Sequence, residues 1–483
     1  MIFAMDICSL IQNFEERGVT LWLEGGKLKF RAASGTLSAT DKECLKAQKA
    51  EIIHFLEQKE QDEKESFPLS PIQKSYLVGR NPIYDLGGLN THYYMELELD
   101  SSLDIEKLQR SWNQVIAHND ALRLVILSQG TQRVLEKTDE YVIEVIDLKN
   151  AEERLEKRKE WSHHIYPLGR WPFFTLRVSR VPSENDIIHL DFDCMIMDGS
   201  SAQIAISQMF KLYRGEPVQW IEYGFKDYCN DMIAFEKKQD FTQAESYWKS
   251  KAREMDCEPQ LPYAKPLCEI RNHRFSRMIG ELSREEYATL QARCREYRVT
   301  PAAVICTAYL KSLLGFCKGD SLTVNSTVFN RLPLHKDVYS VVGDFTNIAY
   351  ITLSKNHRTF AECVQCVQKD LWQLVRFHTY DGTKILKFKE GLNPMRAQMP
   401  VVITCILGNA RKNDMPKELR QVYGLSKTPQ VVLDYQVTDF DGNLAVNWDY
   451  AEDAFDPEIL SRMFHANRNL LKRLLTENWN EVQ

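Results

Sequence analysis

A strand, a tight turn and a helix are expected to follow one another directly from residue 187 onward. Apolar and polar residues alternate in Ile187–Asp193, so a strand would bury one face and present polar residues such as His189 on the other. Asp198-Gly199-Ser200-Ser201 then supplies a turn and a serine able to cap the helical run that follows. This succession predicts that Asp193, Asp198 and Ser201 lie near one another. Two carboxylates brought together can have their pKa values driven apart, or one can pair with an arginine and hold the turn, and the residues alone slightly favour the structural role.

Strand-like and helical runs continue to alternate from Phe67 to the end of the chain, without an internal repeat of fixed period. This pattern predicts an α/β (α+β) body and argues against solenoids and propellers. A chain of 483 residues exceeds the usual size of a single core, so we expect more than one packed unit. Three prolines cluster in residues 258–268, which predicts an N-terminal lobe over 67–257, an interlobe linker over 258–268 and a C-terminal lobe over 269–483.

Residues 1–57 predict a small separate unit. Asp6 can cap a helix that ends at Gly18, a β-hairpin turns at Gly25-Gly26, and Thr40 with Glu43 resembles a capping box for a further helical stretch. The charged run that follows predicts a solvated linker over 58–66. So small a core has little room for a catalytic pocket, whereas a hairpin edge can accept an added strand, so binding is the expected role. An ordinary subdomain packed on the body is the alternative.

The composition is that of an ordinary globular protein. Hydrophobic residues make up 44% and charged residues 27%, with a net charge of −6 and both signs interspersed, so nucleic acid is not an expected partner. We find no long apolar run and no signal-peptide pattern, and therefore expect no membrane association and a cytoplasmic location. The twelve cysteines are scattered, and Cys363 and Cys366 have no second ligand pair at zinc-site spacing, so reduced thiols and no metal are expected.

Short motifs recur in order after Ser66. They are Phe67-Pro68-Leu69-Ser70, Ala121-Leu122-Arg123, Arg170-Trp171-Pro172-Phe173-Phe174, Asp193-x-x-x-x-Asp198-x-x-Ser201, Phe329-Asn330-Arg331-Leu332-Pro333, Gly343-Asp344-Phe345-Thr346, Pro400-Val401-Val402-Ile403-Thr404, Thr428-Pro429-Gln430 through Gln436, and Asn447-Trp448-Asp449. Together they resemble the heterocyclization domains of nonribosomal peptide synthetases, within the condensation-domain superfamily. Ordinary condensation domains carry His-His-x-x-x-Asp-Gly where this chain has Asp193 and Cys194, so an imidazole base is not expected there. Cys405, Val432 and Tyr435 depart from residues common in the family and are expected to tune the pocket.

The resemblance implies two chloramphenicol-acetyltransferase-like lobes in a V shape, with a tunnel that two phosphopantetheine arms enter from opposite faces. The implied partners are donor and acceptor peptidyl or acyl carrier proteins and a downstream adenylation domain, with no cofactor bound directly. The implied reaction joins an upstream acyl thioester to carrier-bound Cys, Ser or Thr and then closes a thiazoline or oxazoline ring. An ordinary condensation domain that forms only the amide, and a noncatalytic docking and carrier-binding scaffold, are the rival functions.

The match to the family motifs makes Asp434 the candidate acid/base, Thr404 its hydrogen-bonding partner and Asn330 a residue that orients the substrate amide. The residues alone leave open a solvated or salt-bridged carboxylate at Asp434 and simple turn chemistry at Asn330. The expected structural or motif residues are Asp193, Asp198, Ser201, Asp344 and Thr346, with Arg123 as the arginine that pairs with Asp198.

Residues Arg17–Trp22, Lys27–Ala32 and Lys49–Ile53 resemble the TubC-type docking domains at the N-termini of hybrid polyketide and peptide synthetase subunits. The resemblance implies that the hairpin captures the C-terminal tail of an upstream subunit. The candidate contact residues are Leu21, Trp22, Leu28 and Phe30.

Overall fold

The computed structural model describes residues 7–33, 35–99, 102–271, 274–393, 395–408, 416 and 419–482. The chain forms two compact units. One runs to Phe67 and includes Thr131–Val134, and the other comprises the remaining residues, which we call the body. Asp6, the expected cap of the first helix, lies outside the described residues.

The N-terminal unit is a helix, a hairpin and two helices. Its elements are α1 (Ile7–Glu16), β1 (Thr20–Glu24), β2 (Lys27–Arg31), α2 (Ala39–Ala47) and α3 (Lys49–Glu65). A small core of Leu10, Ile11, Phe14, Val19, Leu21, Leu45, Ile52 and Leu56 holds them together. The predicted capping box at Thr40 and Glu43 is wrong, because Ser38 caps α2 and Asp41 completes the box. The predicted linker is helical up to Glu65, which its Glu, Gln and Lys residues favour.

The first lobe of the body is built on a five-stranded sheet in the order β15-β4-β9-β8-β7. Its strands are β4 (His92–Leu99), β7 (Glu144–Asp147), β8 (Phe174–Arg180), β9 (Ile187–Asp193) and β15 (Leu419–Lys427). The short strands are β3 (Phe67–Pro68), β5 (Leu124–Ile126) and β6 (Thr131–Val134). Of these, β6 and Phe67 of β3 belong to the N-terminal unit. The helices are α4 (Pro71–Gly79), α5 (Ile105–His118), α6 (Ala151–Trp161), α7 (Gly199–Arg214), α8 (Phe225–Glu236) and α9 (Thr242–Glu254).

The second lobe has a mixed sheet in the order β10-β17-β16-β14-β12-β13, with β11 beside β17. Its strands are β10 (Phe275–Met278), β11 (Glu281–Leu282), β12 (Ser321–Phe329), β13 (Thr346–Ser354), β14 (Val401–Ile406), β16 (Leu433–Phe440) and β17 (Asn443–Ala451). Its helices are α10 (Arg284–Glu296), α11 (Pro301–Leu314), α12 (Phe360–Arg376) and α13 (Pro457–Arg473). Strands β12, β14 and β16 run parallel, so polar residues at matching positions line up across one sheet face. No helix among the residues described is long and apolar enough to span a membrane.

Strand β15 crosses from the second lobe to the first. It follows residue 269 in sequence, yet it pairs antiparallel with β4 from Leu419 opposite Leu99 to Lys427 opposite His92. Arg420 forms an ion pair with Glu98. Residues 419–427 therefore complete the sheet of the first lobe, although they lie far beyond the predicted interlobe linker in sequence.

The face of β9 that carries the polar residues is buried, as is the apolar face. All seven residues of the strand are buried, because other polar groups cover them. His189 Nδ1 lies 2.7 Å from the Tyr94 hydroxyl, and its Nε2 lies 2.7 Å from Ser179 Oγ. The buried polar groups are thereby satisfied within the lobe.

Candidate active site

A cavity of about 1800 Å³ lies in the body. Side chains of α4, α7 and β4 line it from the first lobe, and side chains of β12, β14 and β16 line it from the second. The crossing strand β15 contributes as well, through residues that include Ser426. The elements of both lobes therefore line one common cavity that is open to solvent.

Asp434 and Thr404 meet on the wall of this cavity. Thr404 Oγ1 lies 3.3 Å from Asp434 Oδ1 and 3.1 Å from Thr327 Oγ1. Gln436 Nε2 donates to Asp434 Oδ2 at 2.6 Å. The parallel pairing of β14 with β16 explains the arrangement, since it sets Val402 beside Asp434 and Thr404 beside Gln436. The predicted hydrogen bond between Thr404 and Asp434 is present, and the alternative of a solvated carboxylate at Asp434 is wrong, because this side chain is buried.

Burial raises the pKa of the Asp434 carboxyl to about 6, and the charge of Asp449 adds to this increase. Hydrogen bonds from Gln436 and Ser426 and the charge of Arg277 act in the opposite direction. At pH 7 the carboxyl is mostly ionised, with about one molecule in ten protonated. A group of this kind can both accept and return a proton near neutral pH.

The signature turn after β9 has a structural role. Asp193 is fully buried and forms an ion pair with Arg80, and its Oδ1 accepts from the Met195 backbone at 3.0 Å. Cys194 lines the cavity. Burial raises the pKa of its thiol, and the nearby charge of Asp193 adds to the increase, so the thiol stays neutral.

Asp198 joins the start of α7 to the loop before β13. It caps α7 by accepting from the Ser201 backbone at 2.7 Å, and it also accepts from the Phe345 backbone at 3.1 Å. The hydroxyl of Ser201 contacts the Gly343 carbonyl at 2.5 Å. These contacts agree with the structural role expected of Asp198 and Ser201.

The predicted partner of Asp198 is wrong. Arg331 lies 3.7 Å from Asp198 and also donates to Ser201 Oγ at 2.7 Å. Arg123 instead donates to the carbonyl oxygens of Leu135 and Glu136. These hydrogen bonds hold the Arg123 guanidinium against the segment that follows β6.

Asp344 and Thr346 flank Phe345, the residue that donates to Asp198, and Thr346 begins β13. Asp344 Oδ1 accepts from the Thr346 backbone at 3.0 Å, while its buried Oδ2 has no hydrogen-bond partner. Burial raises the pKa of Asp344 to about 8, and the charges of Asp198 and Asp193 contribute. Thr346 lines the cavity.

Asn330 lies apart from the Asp434 pair. Its Nδ2 donates to the His378 carbonyl at 2.6 Å, and its backbone donates to the Phe345 carbonyl at 2.9 Å. These bonds brace the loop after β12, which favours turn chemistry, the alternative that the sequence left open. A role in orienting substrate stays a prediction.

The four docking candidates differ in exposure. Leu21 belongs to the core of the N-terminal unit and is not available to a partner, so this part of the expectation is wrong. Trp22 and Leu28 are half-buried, and Phe30 is 52% exposed. Phe30 is therefore the best-placed side chain for contact with a partner.

Three residues near Asp434 received no role from the sequence. Gln436 and Asp449 lie within the motifs quoted above. Asp434 and Gln436 are two positions apart on one strand, so their side chains share a face of the sheet, and this spacing could have indicated their contact. Arg277 lies in no motif, and no local pattern marks it. Within the described ranges, no cluster of three or more His, Cys, Asp or Glu side chains could hold a metal ion.

Comparison with known proteins gives the family. Residues 63–482 match the Condensation domain family, and residues 7–58 match the TubC N-terminal docking domain. The two α/β lobes and their shared cavity agree with a condensation-type domain. The chain belongs to the condensation-domain family, and its N-terminal unit is a TubC-type docking domain.

Several relatives are large synthetases. Bacitracin synthase 1 of Bacillus licheniformis is 30% identical over 83% of the chain and 8% of that protein. Pyochelin synthetase PchF of Pseudomonas aeruginosa (strain UCBPP-PA14) is 28% identical over 97% of the chain and 27% of that protein. Phenyloxazoline synthase MbtB of Mycobacterium sp. (strain MCS) is 29% identical over 85% of the chain and 36% of that protein. The chain thus spans well under half the length of these curated relatives.

A solved structure resembles the whole chain. The cyclization-docking bidomain of EpoB, a nonribosomal peptide synthetase of Sorangium cellulosum, has a TM-score of 0.76 and 27% identity. The alignment covers 99% of this chain and 100% of that one. The order of docking unit and two-lobed body is therefore common to both proteins.

Proposed function

We propose that this chain joins an upstream carrier-bound acyl thioester to carrier-bound Cys, Ser or Thr and then closes the product to a thiazoline or oxazoline. Nonribosomal peptide synthetase condensation domains act on substrates carried by phosphopantetheine arms. The observation that carries the proposal is the buried Asp434 carboxyl, hydrogen-bonded to Thr404 on the cavity wall.

Amide formation needs little chemistry from the protein. The amine of the acceptor attacks the donor thioester carbon, the carbon–sulfur bond breaks, and the donor arm leaves as a thiol. Holding both thioesters in one cavity makes this step effectively intramolecular. Such proximity lowers the activation free energy by on the order of several kcal/mol. The cavity lined by both lobes suits this role.

Ring closure requires proton transfers, which we assign to Asp434. With a cysteinyl acceptor, the ionised carboxylate takes the thiol proton as sulfur bonds to the amide carbon, and returns this proton to the former carbonyl oxygen. It then takes the proton from nitrogen and passes it to the hydroxyl, which leaves as water as the carbon–nitrogen double bond forms. Asp434 ends ionised as it began, so atoms and charges balance, while Thr404 fixes the carboxyl orientation.

Mass spectrometry of the carrier-bound product tests the proposal. An acyl-loaded donor carrier and a cysteinyl-loaded acceptor carrier are supplied to wild type, Asp434→Ala and Asp147→Ala. Asp147 is an exposed carboxylate on β7 and serves as the matched control. We expect wild type and Asp147→Ala to give a product lighter by one water than the linear amide, and Asp434→Ala to accumulate linear amide. Linear amide from wild type would identify an ordinary condensation domain, and no product from wild type would favour a noncatalytic scaffold.

We further propose that the N-terminal unit captures the C-terminal tail of an upstream subunit. We also propose that a downstream adenylation domain supplies the activated acceptor amino acid. The exposed Phe30 on β2 supports the first statement, because an exposed aromatic beside a strand edge can anchor an added peptide. In a binding assay with candidate upstream tails, Phe30→Asp should weaken binding at least tenfold, whereas the exposed Lys29→Ala control should not. Equal affinity of Phe30→Asp and wild type would contradict this docking surface.

A further inference from the structure

A second buried carboxylate faces Asp434. In the antiparallel pairing of β16 with β17, Asp449 lies directly opposite Asp434. Both side chains are buried, and Asp449 is fully so. Two like charges this close in a poorly solvated wall raise the free energy of ionising both, unless a cation balances one of them.

Arg277 of β10 provides that cation. Its Nε donates to Asp449 Oδ1 at 2.6 Å and a second nitrogen donates to Oδ2 at 2.6 Å, a bidentate pair with almost no exposure. The antiparallel pairing of β10 with β17 places Arg277 directly opposite Asp449. Such a fork–fork pair fixes the position of the carboxylate as well as its charge.

Ser426 of the crossing strand joins this pair to Asp434. Its backbone nitrogen donates to Asp449 Oδ2 at 2.8 Å, and its side chain hydrogen-bonds Asp434. Ser426 also lines the cavity. One residue of β15 therefore touches both carboxylates of the second lobe.

We propose that Arg277, Asp449 and Ser426 form a positioning unit that sets the protonation of Asp434 for ring closure. This inference rests on the proposed function. Asp449 makes the Asp434 carboxylate more basic, while Arg277 and Ser426 keep it ionised when catalysis begins. None of the three needs to touch the substrate, so they are positioning residues.

The other titratable groups near the two carboxylates stay neutral around pH 7. The Tyr309 hydroxyl from α11 and the Cys194 thiol from the turn after β9 lie near Asp434, and burial raises the pKa of both. Tyr93 and Tyr423 lie near Asp449, and burial raises the pKa of these phenols too. The charge balance at Asp434 therefore depends on Asp449 and Arg277.

The pH dependence of ring closure, measured separately from amide formation, tests the inference. In wild type, the rate of ring closure should rise with pH as Asp434 ionises. Asp449→Asn removes a neighbouring negative charge and keeps the shape, so the rise should move to lower pH by about one unit. Ser426→Ala removes a hydrogen bond to the ionised carboxyl, so the rise should move to higher pH by about half a unit. Arg277→Lys keeps the charge and should stay closer to wild type than Asp449→Asn does.

Asp370→Asn is the matched control. Asp370 forms a buried pair with Lys251, 2.8 Å away, between α12 and α9, and its loss should lower the melting temperature without moving the pH profile. Coincident profiles for wild type, Asp449→Asn and Ser426→Ala, or shifts in the same direction, would overturn the inference while leaving the proposed function intact. If Asp449→Asn does not fold, an unshifted profile in Ser426→Ala is enough to overturn it. A wild type that yields only linear amide would instead refute the proposed function, and the inference with it.

Discussion

Replacing Lys427 by methionine should stabilise the protein. Lys427 ends the crossing strand, is 2% exposed, and has its Nζ 3.5 Å from the His164 carbonyl oxygen. Burial lowers the pKa of this amine to about 8, although the charges of Asp193 and Asp191 oppose the change. A decrease of that size from the ordinary value for lysine corresponds to about 3 kcal/mol of lost stability while the amine is charged.

The sign of the effect follows from the lowered pKa. Below pH 8 the amine is charged in the folded and unfolded protein, so the folded state bears the whole cost. Between pH 8 and the unfolded pKa the folded protein holds Lys427 neutral, and the cost declines by about 1.4 kcal/mol for each pH unit. The advantage of Lys427→Met should therefore fall from about 3 kcal/mol at pH 7 to about 1 kcal/mol at pH 9.5.

Urea unfolding of wild type and Lys427→Met at these two pH values measures the difference directly. Taking the difference cancels the titration of groups common to both proteins. Lys249→Met, at an exposed lysine on α9, should match wild type within about 0.5 kcal/mol at both pH values. An advantage that is the same at pH 7 and 9.5, or a variant less stable than wild type, would refute the reasoning.

Three further outcomes are expected. Ring closure by wild type should increase as the pH rises through about 6 and level off above it, because Asp434 starts ionised; a flat rate between pH 5 and 8 in single-turnover assays would contradict this. Arg80→Met should lower the free energy of unfolding by about 3–5 kcal/mol, because Asp193 is left buried without its counter-ion; denaturant titration checks this. In Gly343→Ala the new Cβ would lie 2.2 Å from the Phe225 ring, so the free energy of unfolding should fall by about 1–3 kcal/mol. The control Gly199→Ala has open space at its Cβ position and should have a melting temperature close to that of wild type.

Local patterns were sufficient to predict much of the site. Alternation over residues 187–193 and the Asp-Gly turn after it predicted β9 and the start of α7, although the residue that caps α7 is Asp198 and not the expected serine. The contact between Thr404 and Asp434 was expected from the family motifs, and it forms because β14 and β16 are parallel neighbours. Each of these features depends on residues close in sequence or on strands in register.

Long-range pairing was not predictable in the same way. Periodicity identifies a strand but not the sheet that it joins, so nothing in residues 419–427 indicated that β15 pairs with β4. Arg331, and not Arg123, is the arginine that lies beside Asp198. Predicting this pair requires knowing how the loop before β13 contacts the start of α7. Arg277 was missed because its partner lies 172 residues away.

The crossing strand limits how this domain can be recombined. A chimera that takes the first lobe from one synthetase and everything after residue 268 from another would place a foreign β15 against β4. It would also bring a foreign residue to the position of Lys427, beside the native His92, Asp191 and Asp193. Exchanges that keep residues 419–427 with the parent of the first lobe should therefore yield folded hybrids more often than a single cut between the lobes.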